Sequence, residues 1–196
     1  MKENKNITWR IVPQNTPTLI KQCSKCNKKS EFYCSEKFRV NANQSRVDIW
    51  LIYKCHKCDS TWNLAIKKGI KPRELPAALF NMFIANDKSL AWQYAFDRHF
   101  LRQNSCVVDY TNVEYTVEVC ESHDETVLAH IQSPFCFDLK LVKFLAKVLC
   151  TTVGQIKKLV ENGTIYHPDI DIIKHRIKAD IRGLHIACDL CYNAKT

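Results

Sequence analysis

Two Cys-x-x-Cys pairs are the residues of this chain whose type and spacing most directly indicate chemistry. Cys23 and Cys26 form the first pair, and Cys55 and Cys58 form the second. Each pair can close a tight turn that directs two sulfurs to one point, and two such turns supply the four thiolates of a tetrahedral Zn²⁺ site. Four protein ligands leave no open coordination position, so the predicted zinc site is structural and does not activate water.

Two alternatives to this ligand set stay open at the level of sequence. Iron in a rubredoxin-like site is one of them, although nothing else in the chain indicates electron transfer. Cys34 and His56 are also near enough in sequence to compete as ligands. A strand residue and an exposed turn residue are the favoured interpretations of these two side chains.

A third pair, Cys188 and Cys191, lies near the end of the sequence. It supplies only two ligands, so a second metal site would also need His185 and His175. A redox dithiol is another possibility, but the βαβ context expected of one is missing. The favoured interpretation is a pair of thiols with no role in metal binding.

The eleven cysteines also indicate a compartment. Their number is odd and their spacings are scattered, unlike those of a secreted disulfide scaffold. We therefore expect a cytoplasmic protein in which the cysteines outside the metal site are small buried hydrophobes. The polar first residues lack the apolar core of a secretory signal, and no run of 18 apolar residues predicts a membrane span.

The net charge of +9 is unevenly distributed along the chain. Residues 1–71 contain 15 Lys and Arg against 5 Asp and Glu, residues 72–137 contain 4 against 9, and residues 138–196 contain 10 against 6. Two basic ends thus flank an acidic middle, a pattern that favours a polyanionic partner at the ends. The other interpretation is that the lysines only keep the surface soluble.

The elements that must position the cysteines are strands. Residues 32–40 and 47–53 are rich in β-branched and aromatic residues and are separated by a polar turn, so they predict a hairpin between the two cysteine pairs. Residues 61–66 predict a third strand. Beyond them, residues 74–104 have helical spacing of apolar residues, and residues 107–133 are predicted to be extended.

The last third of the chain predicts two short helices and a strand. Leu141 to Leu149 carry an apolar stripe at helical spacing. A second helix begins at Thr152, the predicted N-cap of a capping box in which Gln155 reaches back, and ends at Gly163. Residues 173–181 alternate between apolar and polar side chains and predict one continuous strand.

The hairpin between the cysteine pairs resembles a zinc ribbon. Four segments carry a second resemblance: Trp9–Pro13, Lys37–Asn43, Val47–Tyr53 and Thr61–Asn63. With them the whole chain is similar to a bacterial family of uncharacterised proteins, the domain-of-unknown-function 1062 family, and that resemblance implies no activity.

Residues 138–187 resemble the RNA-binding domain named after bacterial ribosomal small-subunit protein four, which has two short helices in an L and then a β-hairpin. Lys140–Ala146 matches its first helix, and Thr152-Val153 matches the start of its second. Val142 and Val153 depart from the Asp and Arg that are usual there. The resemblance implies RNA binding through basic side chains, which here are Lys140, Lys143, Lys147, Lys157, Lys158, Lys174 and Arg176.

The expected function is non-enzymatic binding of structured RNA, such as ribosomal or transfer RNA. Trp50, Tyr53 and Trp62 could stack on unpaired bases if they are exposed, or pack within the ribbon. The alternative function is a protein–protein adaptor, with the ribbon as a display scaffold and the acidic middle as a site for a basic partner.

An enzyme is not expected, because the chain has no nucleophile elbow, Walker loop, dinucleotide fingerprint or zinc-protease motif. Its four glycines also argue against phosphate-cradling loops. The predicted architecture is α+β in three parts. Residues 1–71 form a zinc-ribbon domain, residues 72–137 a mixed helical and β region, and residues 138–196 a two-helix L with a β-hairpin.

Overall fold

The computed structural model of the chain describes residues 6–43, 45–122, 128–135 and 138–186. The architecture of these residues is mixed α and β, as predicted. Their strands are β1 (Asn6–Pro13), β2 (Thr18–Cys23), β3 (Lys28–Ala42), β4 (Val47–Cys55), β5 (Thr61–Ile70), β6 (Val107–Asp109), β7 (Tyr115–Ser122), β8 (Leu128–Gln132), β9 (Leu139–Lys140), β10 (Ile165–Tyr166), β11 (Arg176–Ile177) and β12 (Ile181–Ile186). Their α-helices are α1 (Ala77–Ile84), α2 (Lys88–Phe96), α3 (Arg98–Gln103), α4 (Leu141–Val148) and α5 (Val153–Glu161).

The chain divides into two compact units. We call residues 15–113 the central unit and residues 1–14 with 114–196 the terminal unit. This division follows the pairing of strands, because β1 pairs with β7 and β8 and so belongs with the second half of the chain. The three predicted segments, in contrast, follow the order of the sequence.

The central unit is built on an antiparallel sheet with the strand order β5-β4-β3-β2-β6. The hairpin predicted between the cysteine pairs is β3 with β4, and the predicted third strand is β5. Every second residue of strand β4 is buried, and the residues between them face the opposite side of the sheet. This alternation is the one expected of a strand with one face in the core. The buried residues of β4 are Val47, Ile49, Leu51, Tyr53 and Cys55.

Helices α1, α2 and α3 pack against the buried face of this sheet. The ring of Phe38 on β3 meets that of Phe83 on α1 with centroids 4.9 Å apart. Asn86, at a φ of 54°, lies between α1 and α2, and the Asp87 carboxylate caps α2 by accepting a hydrogen bond from the Leu90 amide at 2.8 Å. Residues 74–104 are thus helical, as predicted, in three short pieces.

The terminal unit contains a second five-stranded sheet with the order β10-β12-β8-β1-β7. Strands β1 and β8 are parallel, and the other neighbours are antiparallel. Helix α4 packs on one face through Phe144, whose ring centroid lies 6.0 Å from that of Trp9 on β1. This burial explains the apolar stripe of α4, whose side chains Leu141, Phe144 and Leu145 are fully buried.

Helix α5 follows α4 and packs against it. Thr152 is the N-cap, as predicted, and its hydroxyl accepts a hydrogen bond from the Gln155 amide at 3.2 Å. The predicted return contact of Gln155 differs, because its side-chain oxygen accepts from the Thr151 hydroxyl at 3.1 Å instead. Gly163, at a φ of 77°, follows the last turn of the helix.

The prediction of one strand over residues 173–181 is wrong. A turn at residues 172–174 precedes, and a bend at residues 178–179 follows, a two-residue strand, β11, which pairs with β9. The longer strand β12 begins only at Ile181, and it joins the five-stranded sheet between β8 and β10. The alternation of apolar and polar side chains therefore did not identify the strands of this segment, whose positions depend on their pairing partners. No helix among the described residues is long and apolar enough to cross a membrane.

Candidate metal centre and basic surfaces

The four cysteines of the predicted site converge at one end of the central sheet. Cys23 is the last residue of β2 and Cys55 is the last residue of β4, so the sheet itself brings these two sulfurs together. Cys26 and Cys58 lie in the turns that follow. The four sulfurs lie within 4.8 Å of one another.

Each cysteine turn is closed by a residue with a left-handed backbone. Asn27 has a φ of 52° and Asp59 a φ of 56°, and these are the two residues that follow the second cysteine of each pair. Asn and Asp tolerate this conformation better than other residues with a side chain. The Asp59 amide donates to the Cys55 carbonyl at 2.9 Å, and the Cys55 amide donates to the Ser60 carbonyl at 3.0 Å.

The spacing of the sulfurs fits a tetrahedral metal ion. Bonds of about 2.3 Å from zinc to sulfur place neighbouring sulfurs about 3.8 Å apart. The Cys23 and Cys58 sulfurs are 3.6 Å apart, and those of Cys26 and Cys55 are 3.9 Å apart. Four soft thiolate donors at these distances are a ligand set for a metal such as zinc.

Ser60 completes this cluster and was missed by the sequence analysis. Its hydroxyl oxygen lies 3.2 Å from the sulfurs of both Cys23 and Cys58. The pKa of Cys23 is lowered to about 6, and hydrogen bonding to Ser60 is the largest cause. Hydrogen bonding to Ser60 is also the largest cause that lowers the pKa of Cys58. Hydrogen bonding to Cys58 is the largest cause that raises the pKa of Cys26 to about 12. The sequence feature that could have indicated this role is a hydroxyl residue two positions after Cys58.

A second network supports the turn that carries Cys58. The Asp59 carboxylate accepts a hydrogen bond from the Tyr33 hydroxyl at 2.8 Å and forms an ion pair with Lys54, also at 2.8 Å. Lys54 is the first cause, and Tyr33 the second, that lowers the pKa of Asp59. These contacts join β3, β4 and the turn after β4.

The competing ligands considered from sequence do not join the cluster. Cys34 lies on β3 with its side chain buried, and burial raises the pKa of its thiol to about 12. His56 is exposed, and its ring lies 4.9 Å from that of Tyr33. Cys188 and Cys191 lie outside the described residues. His185, which a second metal site would need as a ligand, lies on β12 with its ring stacked on that of Tyr166.

Three of the seven predicted RNA-contacting residues are held by the protein. The Lys147 ammonium donates to the Tyr115 carbonyl at 2.8 Å and lies 4.0 Å from the centroid of its ring. Arg176 pairs with Asp138 at 2.6 Å, and Lys174 pairs with Asp171 at 3.6 Å. Their charges are accordingly less available to a ligand.

The other four predicted residues are exposed and form no ion pair with a described residue. No carboxylate of the described part of the chain lies within ion-pair distance of them. They belong to the segment from β9 to α5, which contains five lysines and one glutamate between residues 140 and 161. These exposed residues, which we call the helix-pair lysines, are Lys140, Lys143, Lys157 and Lys158.

The three aromatic residues considered for base stacking differ in exposure. Tyr53 is fully buried, so it cannot stack on a ligand. Trp62 is half-buried and packs against Tyr53 and Phe32 with centroids 5.8 and 5.9 Å apart. Trp50 is half-buried on the other face of the sheet, where the Arg39 guanidinium lies 5.7 Å from its ring.

Comparisons with known proteins give one match. A protein-family model described as "Protein of unknown function (DUF1062)" matches residues 40–170. The matched region therefore begins within β3 and includes the second cysteine turn, α1 to α5 and the helix-pair lysines. No curated protein and no solved structure matches the chain.

Proposed function

The chain belongs to the DUF1062 family, and we propose that it is a non-enzymatic, zinc-containing protein that binds structured RNA through basic surfaces. The zinc part of this proposal is supported by the four converging sulfurs of the central unit. A tetrathiolate site has no open position for substrate or water, so zinc would stabilise the fold and carry out no chemistry. Cys23, Cys26, Cys55 and Cys58 would hold the ion.

The observation that carries the RNA part is the set of helix-pair lysines. Four exposed ammonium groups on and beside one helix pair, none within ion-pair distance of a described carboxylate, form a surface for a polyanion. Structured RNA is recognised largely through its shape and phosphate backbone, which suits lysines better than a sequence-reading surface would. A cytoplasmic setting, which the odd number and scattered spacing of the cysteines favour, is compatible with ribosomal or transfer RNA as the partner.

The two cysteine turns of the central unit supply a second basic surface. Lys25, Lys28, Lys29 and Lys57 are exposed in or next to the two cysteine turns. Four thiolates around a divalent ion carry a net charge of −2, and these lysines more than offset it. The zinc would then hold two lysine-bearing turns in a fixed arrangement.

The test is binding of transfer RNA and of a ribosomal RNA fragment over a range of salt concentrations. We expect affinity to fall steeply with salt, and a variant with Lys143, Lys157 and Lys158 changed to Gln to lower the slope of log K against log salt by about 2 to 3. A matched control changes Lys67, Lys68 and Lys71 to Gln, which removes the same charge from β5 and the residue after it.

Each result of this experiment has a clear meaning. An equal effect of the two triple variants would show that net charge alone drives binding and would overturn the assignment to the helix pair. Failure of the unmodified protein to retain either RNA at low ionic strength would overturn the proposed function itself.

A protein–protein adaptor is the second candidate. It is favoured by the exposed valines of two edge strands, Val107 on β6 and Val119 on β7, which are 62% and 54% exposed. Exposed edge strands with apolar side chains can pair with a strand of a partner. Protein partners that remain bound after nuclease treatment would favour this function over RNA binding.

A further inference from the structure

The sheet of the terminal unit has one face packed against α4 and an opposite face, which we call the outer face. Burial separates the two, since Ile165, Leu184 and Ile186 are buried on the packed side. Tyr166 and His185 alternate with them, and the register of β10 and β12 places these two residues directly opposite each other. They therefore lie side by side on the outer face.

The rings of Tyr166 and His185 form a parallel stack. Their centroids are 4.3 Å apart and their planes differ by 6°. Tyr166 lies on β10, the edge strand of the sheet, and remains 49% exposed, while His185 is half-buried. An ordered aromatic ring with much of its surface open to solvent thus lies at the margin of the sheet.

Leu128 on β8 lies opposite His185 on the other side of the stack, and cationic and small residues follow along the strands. A bulge in β12 between Ile181 and Leu184 contains Arg182, which is exposed, and Gly183. A Cβ atom at Gly183 would meet no atom of the described residues within 4 Å, so none of them covers the surface at that point. His130 on β8 lies opposite this bulge. Strands β8, β10 and β12 contain no Asp or Glu, so none of the three strands would repel a phosphate near the stack.

We propose that the exposed ring of Tyr166 stacks on an unpaired base of RNA, with Arg182 close enough along the sheet to contact the adjoining phosphate. Aromatic side chains stack on every base, because each base has a π face, and neighbouring cations bind the backbone. This inference rests on the proposed function and narrows its ligand to structured RNA that also offers an unpaired nucleotide. The helix-pair lysines, in contrast, need only phosphates.

The test compares the unmodified protein with Tyr166→Ala, Tyr166→Leu and Tyr166→Phe. The probes are a short fluorescent RNA without self-complementarity and an RNA duplex of the same length, measured by fluorescence anisotropy. We expect Tyr166→Ala and Tyr166→Leu to weaken binding of the single strand by about 5- to 150-fold, the range for loss of one stacked base, and Tyr166→Phe to retain it. Binding of the duplex should be unchanged in all three variants.

The Leu variant keeps a large apolar side chain over His185, so it decides the outcome if the Ala variant proves misfolded. If the single strand binds equally well to the unmodified protein and to Tyr166→Leu, the stacking site is wrong. This outcome is independent of duplex binding, which tests the proposed function. Binding of the single strand that depends on Tyr166, without binding of duplex, would support the stacking site and overturn recognition of paired RNA. Binding of neither probe would overturn both proposals.

Discussion

Lys54 and Asp59 form an ion pair of 2.8 Å that ties the second cysteine turn to strand β4. Both side chains are substantially exposed, at 35% and 63%, so solvent screens the pair and it contributes little to stability. The backbone of Asp59 is the larger constraint, because its φ of 56° is unfavourable for most residues with a Cβ. The residue thus has two roles in holding Cys58 in place, one electrostatic and one conformational.

Glycine and alanine at this position separate the two roles. Both substitutions remove the carboxylate, but only Ala keeps a Cβ in the left-handed conformation, and we expect the free energy of unfolding of Asp59→Ala to be about 1 kcal/mol lower than that of Asp59→Gly. Chemical denaturation of the metal-loaded protein measures the difference. Equal destabilisation by the two substitutions would mean that the contacts to Lys54 and Tyr33 matter more than the backbone.

The cysteine cluster predicts a metal content of one zinc ion per chain. Changing Cys55 to Ser removes one thiolate from the end of β4, and we expect this variant to lose the ion and much of the stability of the central unit. Cys120→Ser is the matched control, because Cys120 is exposed on β7 and outside the cluster. Elemental analysis of the purified proteins checks both. Native protein that is folded yet metal-free would contradict the assignment.

Ser60 predicts a pH dependence of metal binding. Hydrogen bonding to Ser60 is the largest of several causes that lower the pKa of Cys23 from 9.0 to about 6, so Ser60 favours the thiolate form that binds a metal. In Ser60→Ala the pKa of Cys23 rises, protons compete better with the metal, and the pH at which half of the zinc is released moves upward. Supporting residues of this kind typically change metal affinity by about 10- to 100-fold, which competition with a chelator measures. Ser24→Ala, in the first turn, is the control, and an equal shift there would contradict a specific role for Ser60.

The cluster of four cysteines could be predicted from the sequence because its determinants are local. The spacing within each cysteine pair, Asn27 and Asp59 after them, and the apolar alternation of β4 all act over a few residues. The position of Ser60 between two sulfurs was not predictable in the same way. One of those sulfurs, on Cys23, is 37 positions away in the chain and is brought near only by the register of the sheet.

The terminal unit was harder to predict because its pairing is long-range. Strand β1 lies beside β7 and β8, which are more than 100 residues later, and no periodicity in β1 identifies those partners. The helices α4 and α5 were predicted, since their apolar stripes are local. The resemblances to a zinc ribbon and to the RNA-binding domain of ribosomal protein four stay predictions, whereas membership of the DUF1062 family is confirmed.

Two lysines one helical turn apart on α4 give a final prediction that separates stability from ligand binding. Lys147 is held by the carbonyl and ring of Tyr115, so Lys147→Met should lower the free energy of unfolding by about 1 kcal/mol, the usual value for one hydrogen bond, with little change in RNA affinity. Lys143 is exposed, and Lys143→Met should leave stability unchanged and reduce the salt slope of RNA binding by about 1. Thermal unfolding and salt-dependent RNA binding of both variants measure this. If Lys147→Met and not Lys143→Met reduces the salt slope, the contact of Lys147 to Tyr115 opens when RNA binds. If the slope is unchanged in both variants, the phosphate contacts lie away from α4.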